Sequence, residues 1–188
     1  MARDPLTPFS YAILVLVGQG GAGPHDLVRM ARSGRTYAAA AESQYYAEPK
    51  RLAALGYLEA RKLPGRTHER THYTLTEQGL AALREWAMRP VRYPRVLHEG
   101  VVRLLAADLV GEPPVRESIV ALRAELDELD ALLDEGERRA ATFPARERYL
   151  RINHRLARRL VAAHREWVDE VEGELSGEVP ASPARGGR

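Results

Sequence analysis

The 188-residue sequence predicts a mainly α-helical chain with one small β-hairpin, a compact front domain and an all-helical rear domain. Three observations predict it. Residues 43–86 read in order as a basic amphipathic helix, a hairpin, and a helix opened by a capping threonine. Two helical segments precede them, which completes the order of a winged helix-turn-helix, a fold used mostly to read double-stranded DNA. Behind residue 90, apolar residues recur at spacings of three and four, the rhythm of an antiparallel coiled-coil-like pair.

The front domain, residues 1–90, is punctuated by turn and cap residues. Thr7-Pro8 opens a first helix, FSYAILVLVGQG, whose nearly continuous apolar character suits a buried helix; Gly18, Gly20 and Gly21 end it. Pro24 begins a second, PHDLVRMAR, with Leu27, Val28 and Met30 or Ala31 available for a core, and Gly34 stops it. The third, SQYYAEPKRLAAL, starts near Ala41 to Ser43 and closes at Gly56. YLEARKL and THYTL then pair as a hairpin around a type II turn at Pro64-Gly65, with Tyr73 and Leu75 on one face. Thr76 caps EQGLAALREWAM, where Leu80, Leu83 and Ala87 fall at helical spacing.

Pro49 is the local anomaly, because proline inside a helix removes an amide donor and costs roughly 3 kcal/mol. Two readings follow: a helix kinked between Tyr46 and Pro49, or one that starts near Glu48. The stripe of Tyr45, Tyr46, Leu52 and Leu55 favours the first.

Charge sharpens the pattern. Residues 1–90 hold 12 Lys/Arg against 8 Asp/Glu, and residues 91–188 hold 16 against 18. The front excess is local: Lys50, Arg51, Arg61, Lys62, Arg66 and Arg70 fall in one window that contains only Glu59 and Glu69. That window spans the third helix and the hairpin, where a phosphate backbone would be met. Ser43 and Gln44, which both donate and accept, suit base edges; Tyr46, Lys50 and Arg51 suit phosphates. Lys62, Arg66, Thr67, His68 and Arg70 on the wing suit the backbone or the flanking minor groove. An apolar or acidic third helix would instead point to a winged-helix module that docks proteins.

The segments SQYYAEPKRLAALGYL and HYTLTEQGLAALREW resemble the PadR family of transcriptional regulators. Tyr46, the Lys50-Arg51-Leu52 step and Gly56 match the recognition-helix pattern, and Tyr73, Thr76, Gly79, Leu83 and Trp86 match the pattern after the wing. Pro49 departs from it, since a leucine or similar apolar residue is more usual there. The resemblance covers residues 6–89 and, more loosely, the rest. It implies a homodimeric repressor on a palindromic operator, released by a small aromatic or drug-like ligand. First-helix residues with Trp86 or Trp167 are candidates to line such a pocket.

The rear half, residues 91–175, is expected to be a dimerisation domain. LHEGVVRLLAADLV reads as one helix ended by Gly111-Glu112-Pro113-Pro114. Val115, Ile119, Leu122, Leu126, Leu129 and Leu133 form the seam of a strongly acidic helix. After Gly136 and Phe143-Pro144, a basic helix places Tyr149, Ile152, Leu156, Leu160, Ala163, Trp167 and Val171 on one stripe. Acidic and basic helices of matching length, joined by a short connection, are expected to pair antiparallel. Apolar surface beyond what three helices can cover points to a second copy, through Leu97, Val101, Leu104, Leu105, Ile152, Leu156, Leu160 and Trp167. Residues 176–188, rich in Gly, Pro, Ala and Ser, read as a disordered tail.

Other classes find little support. The absence of cysteine excludes disulfides, thiolate metal sites and a cysteine nucleophile. YAILVLVG is too short to cross a bilayer, and Arg3-Asp4-Pro5 is no signal-peptide flank, so a cytoplasmic protein without membrane contact is expected. GQGGAG follows a helix rather than a strand, and no phosphate loop, nucleophile elbow or HExxH motif occurs, so neither catalysis nor a cofactor is expected. His68 and His72 on a hairpin do not converge on a metal. His154 and His164 lie about 280° apart around one helix and need another element to meet. Tyr45, Tyr46, Tyr73 and Trp86 read as core, with the Tyr46 hydroxyl free for a phosphate.

Overall fold

The computed structural model describes residues 5–18, 20–32, 40–64, 69–94 and 97–176. They form two compact units, Met1–Tyr93 and Pro94–Arg188.

The first unit runs α1 (Pro8–Val17), α2 (Pro24–Arg32), α3 (Glu42–Ala54), β1 (Leu58–Leu63), β2 (Arg70–Leu75) and α4 (Glu77–Ala87). Thr7 and Ser10 close a reciprocal capping box at the start of α1, and Pro8 sits in the first turn, where its missing amide costs nothing. Ile13, Leu14 and Val17 of α1 pack with Leu27 of α2, Tyr45 and Leu52 of α3, Leu58 of β1 and Tyr73 of β2 into one core. The hairpin is antiparallel, in the register Leu58↔Leu75 to Leu63↔Arg70. A bridge that the sequence does not announce joins it: Ala22 and Tyr73 exchange two backbone bonds of 3.0 Å, pinning the α1–α2 connection to the sheet edge.

One alternative closes here and one expectation changes. α3 begins at Glu42 and runs through Pro49, so the start near Glu48 is excluded; Pro49 is itself buried, and its packing offsets the lost bond. Ala87 is exposed, and α4 docks through Ala82 and Leu83 instead. Gly65, in the expected turn, lies outside the described residues.

The second unit holds α5 (Glu99–Leu105), α6 (Ala107–Val110), α7 (Glu112–Val120), α8 (Leu122–Ala140) and α9 (Pro144–Glu174). The segment read as one helix over 97–110 is two, separated at Ala106. The helix ends at Gly111 as expected, and Glu112-Pro113-Pro114 then opens α7, because proline is tolerated in a first turn. The acidic seam also divides, at Ala121, while its periodicity survives: Val115, Ile119, Leu126 and Leu133 are buried. Gly136 lies inside α8, where a Cβ would approach the His154 ring to 3.0 Å.

α8 and α9 pair antiparallel, but not through the expected stripe. His154, Ala157, Val161, Val168 and Val171 face inward, whereas Tyr149, Ile152, Leu156 and Ala163 stay exposed. The buried seam is displaced by one residue, about 100° of helix, from the expected stripe and meets it only at Val171. The charges explain the choice. Arg158 and Arg165 flank the inner stripe and reach the acids of α8: Arg158 meets Asp130, Asp134 and Glu137, and Arg165 meets Asp127 and Asp130. Arg123 of α8 answers with Asp169 and Glu172 of α9.

Candidate nucleic-acid interface

The outer face of α3 is a ridge built by helical spacing. Ser43, Ala47, Lys50 and Ala54 recur at four, three and four residues, and all are exposed. Small side chains along this line let the helix backbone approach a groove floor, with Lys50 as the one cation on the ridge. Gln44, exposed in the first turn, stands beside it. On the opposite face Tyr45, Pro49 and Leu52 are buried, so the core fixes which face turns outward.

Tyr46 is half-buried and its hydroxyl is not free. It hydrogen-bonds His25 Nδ1 of α2 at 3.1 Å, with the two rings edge to face at 5.6 Å. His25 therefore joins the site unannounced: it lies 21 residues away, and no local pattern connects the two.

Arg51 is exposed, and its guanidinium lies back along α3 toward the start of α1. Its guanidinium donates to Glu48 at 2.6 and 2.8 Å, to the Ser10 hydroxyl at 3.0 Å and to the Pro5 carbonyl at 3.1 Å. Ser10, fully buried, donates in turn to Glu48 at 2.6 Å. The Arg51 guanidinium, helped by the Ser10 hydroxyl, holds the Glu48 carboxyl below the usual carboxylate range, against burial that acts the other way. These three side chains lock α3 onto α1. Arg51, expected at a phosphate, is held here by Glu48, Ser10 and Pro5 as a buttress of α3, while 41% of its side chain stays exposed.

On the hairpin, Lys62 and Arg70 are exposed, and Lys62 donates to Thr71 Oγ1 at 3.2 Å. Arg61 is paired with Glu59 at 3.1 Å. Arg66, Thr67 and His68 lie outside the described residues.

Of the residues expected at a dimer interface, Leu97, Leu105, Ile152 and Leu156 are at least half exposed, at 86%, 74%, 50% and 51%. Val101 is exposed and Leu160 half-buried. Leu104 and Trp167 are drawn into the core of their own unit instead. Trp167 packs edge-on to His98 at 5.4 Å, and His98 Nε2 lies 2.9 Å from His164 Nε2, so a second element does bring a partner to His164. Trp86 stacks on Tyr11 of α1, ring centroids 4.9 Å apart and planes 10° apart. Among the described residues no three His, Asp or Glu side chains converge to hold a metal, and no helix is long and apolar enough to cross a membrane.

No protein-family model matches the chain, and neither does any curated protein. Solved structures do. PadR of Bacillus subtilis in complex with operator DNA superposes with a TM-score of 0.73 at 22% identity, over 92% of this chain and 98% of that one. The same regulator in complex with p-coumaric acid gives 0.62 at 21% identity, over 93% and 97%. The Vibrio cholerae virulence activator AphA gives 0.67 at 25% identity, over 89% and 97%. The order of elements, the two-stranded wing and the helical rear unit are thus those of a PadR-like fold.

Proposed function

We propose that this chain is a sequence-specific, DNA-binding transcriptional regulator of the PadR type, cytoplasmic and acting as a homodimer. One observation carries the reading: α3 presents the exposed ridge of Ser43, Ala47 and Lys50, backed by buried Tyr45 and Leu52, in a fold shared with a regulator solved on its operator. In this reading residues 1–90 bind DNA and residues 91–175 hold the dimer. Two α3 helices enter successive major grooves of a palindromic operator, with half-sites about one helical turn apart. Ser43 and Gln44 read base edges, Lys50 and the Tyr46 hydroxyl meet phosphates, the hydroxyl accepting from His25 Nδ1–H and so keeping its own proton to donate, and Lys62 and Arg70 carry the wing to the flanking backbone.

Repression, relieved by a small aromatic or drug-like molecule, completes the proposal. Support comes from the p-coumaric acid complex of the B. subtilis regulator and from the two tryptophans, each packed against another ring. A protein-docking winged helix is the competing reading; the polar and cationic ridge of α3 counts against it.

The test is fluorescence anisotropy on the DNA upstream of the protein's own gene, at several salt concentrations and with random DNA as competitor. Tight, salt-sensitive binding that survives the competitor supports the regulator. Equal affinity for both DNAs at every salt concentration favours the docking module.

A further inference from the structure

Lysine is almost missing from this chain, and its two copies stand close together. Of 28 lysines and arginines only Lys50 and Lys62 are lysine. A bias toward arginine accounts for their rarity and not for their placement. Every ion pair among the described residues takes its cation from arginine, from Arg51 with Glu48 on α3 to Arg123, Arg158 and Arg165 between α8 and α9. The two lysines therefore hold neither unit together by charge. Lys50 is exposed on the outer ridge of α3, between Ala47 and Ala54, and makes no ion pair or side-chain hydrogen bond among the described residues. Lys62, exposed on β1, donates to the Thr71 hydroxyl across the hairpin at 3.2 Å.

The two kinds of cation differ in chemistry. A guanidinium stays protonated, whereas a lysine amine that has shed its proton attacks activated acyl groups and becomes a neutral amide. An acyl donor can thus form a stable side-chain amide at two positions only, both on the surface proposed to meet DNA, and the arginine pairs that hold the fold are beyond its reach. We propose that Lys50 is a modification site, with Lys62 a slower second one, that takes the acyl group of an acyl phosphate or acyl thioester and thereby releases the protein from DNA. The inference rests on the DNA-binding reading and deepens it by adding a means of control. The free amine of Lys50 attacks the acyl carbonyl carbon and a C–N bond forms. The C–O bond to phosphate, or the C–S bond to the thiol, breaks, and the amine proton leaves with the released phosphate or thiol. Lys50 reacts first, because nothing ties its amine and its ridge neighbours are small, whereas the Lys62 amine is held at Thr71. The amide keeps an N–H but no charge, so a phosphate facing it loses its counter-charge.

Treatment of the full-length protein with acetyl phosphate, and in a parallel arm with acetyl-coenzyme A, tests this at mildly alkaline pH. Peptide mass spectrometry places the acetyl groups, and anisotropy on the DNA upstream of the gene compares each protein with itself before and after treatment. Lys50 should be acetylated before Lys62, and bound DNA should shield it. Treated wild type should bind about tenfold more weakly, with a salt slope lower by about one for each acetylated lysine. Lys50→Arg should lose less on treatment. Lys50→Arg with Lys62→Arg should lose nothing, because that chain has no side-chain amine left and only its terminal amine can react. Circular dichroism of each treated protein separates release from unfolding. Reaction with one donor alone supports the site and names the class of that donor.

Acetylation that spares Lys50, or that reaches it and leaves affinity and salt slope unchanged, overturns the proposal while the DNA-binding reading stands. Equal losses in wild type and the double variant assign the effect to the terminal amine and overturn it as well. Untreated wild type with no affinity for DNA overturns this site and the DNA-binding reading together.

Discussion

Ser10 donates its hydroxyl to the Glu48 carboxylate at 2.6 Å, across 38 residues of chain. The same oxygen accepts from the Thr7 amide at 2.9 Å and from Arg51 at 3.0 Å, so one buried atom joins the cap of α1 to the helix proposed to enter DNA. Ser10→Ala leaves a half-buried carboxylate and a guanidinium each short of a partner. The expected loss is about 1–3 kcal/mol, read as a lowered urea midpoint. An unchanged midpoint would show that the network does not stabilise α3.

The same network makes stability depend on pH. The folded state holds the Glu48 proton affinity below its ordinary value of 4.5, chiefly through Arg51, so the unfolded chain binds the proton more readily. The stabilisation is present in full above pH 4.5 and is lost as pH falls through the lower, folded-state value. Glu48→Gln removes the titrating group. Urea midpoints of wild type and Glu48→Gln should differ most near neutrality and converge toward pH 3. A gap of constant size across that range would contradict the assignment.

Thr76 and Gly79 hold the joint between wing and α4. Thr76 accepts from the Gly79 amide at 3.1 Å and donates to the Gly56 carbonyl at 2.7 Å. Thr76→Ala should cost about 1 kcal/mol, an ordinary cap loss. Gly79→Ala should cost more, although alanine is the better helix former, because its Cβ would lie 2.2 Å from the Tyr57 carbonyl oxygen. Thermal melts that rank the two variants the other way would mean the chain around Tyr57 yields easily.

These positions show what a sequence exposes. The cap at Thr76, the stop at Gly56 and the start at Pro8 are local, settled within four residues, and the pattern alone finds them. Placement against distant chain is another matter. Arg51 pairs locally with Glu48, but its anchorage on α1 is set by Ser10, 41 residues away, and the extra bridge at Ala22 by Tyr73. The seam of α9 departs from the expected stripe for a related reason. That helix carries two apolar stripes of similar period, and hydrophobicity alone cannot say which meets α8; the arginines that flank the inner stripe decide it.

Lys50, Gln44 and Arg51 stand within eight residues of one another on α3 and should fail in three different ways. Lys50 is exposed on the outer ridge, so Lys50→Ala should weaken binding to every DNA sequence and lower the slope of log affinity against log salt by about one. Gln44→Ala removes a donor and an acceptor but no charge, so the slope should hold while the preferred operator changes. Arg51 is tied to Glu48, Ser10 and Pro5; Arg51→Ala should lower the unfolding midpoint and the affinity together and leave the salt slope near its wild-type value. Anisotropy titrations at four salt concentrations, beside urea melts of the same three variants, separate these outcomes. A salt slope that falls by about one for Arg51→Ala would turn its guanidinium outward in the complex and restore it to the phosphate contacts that the sequence suggests.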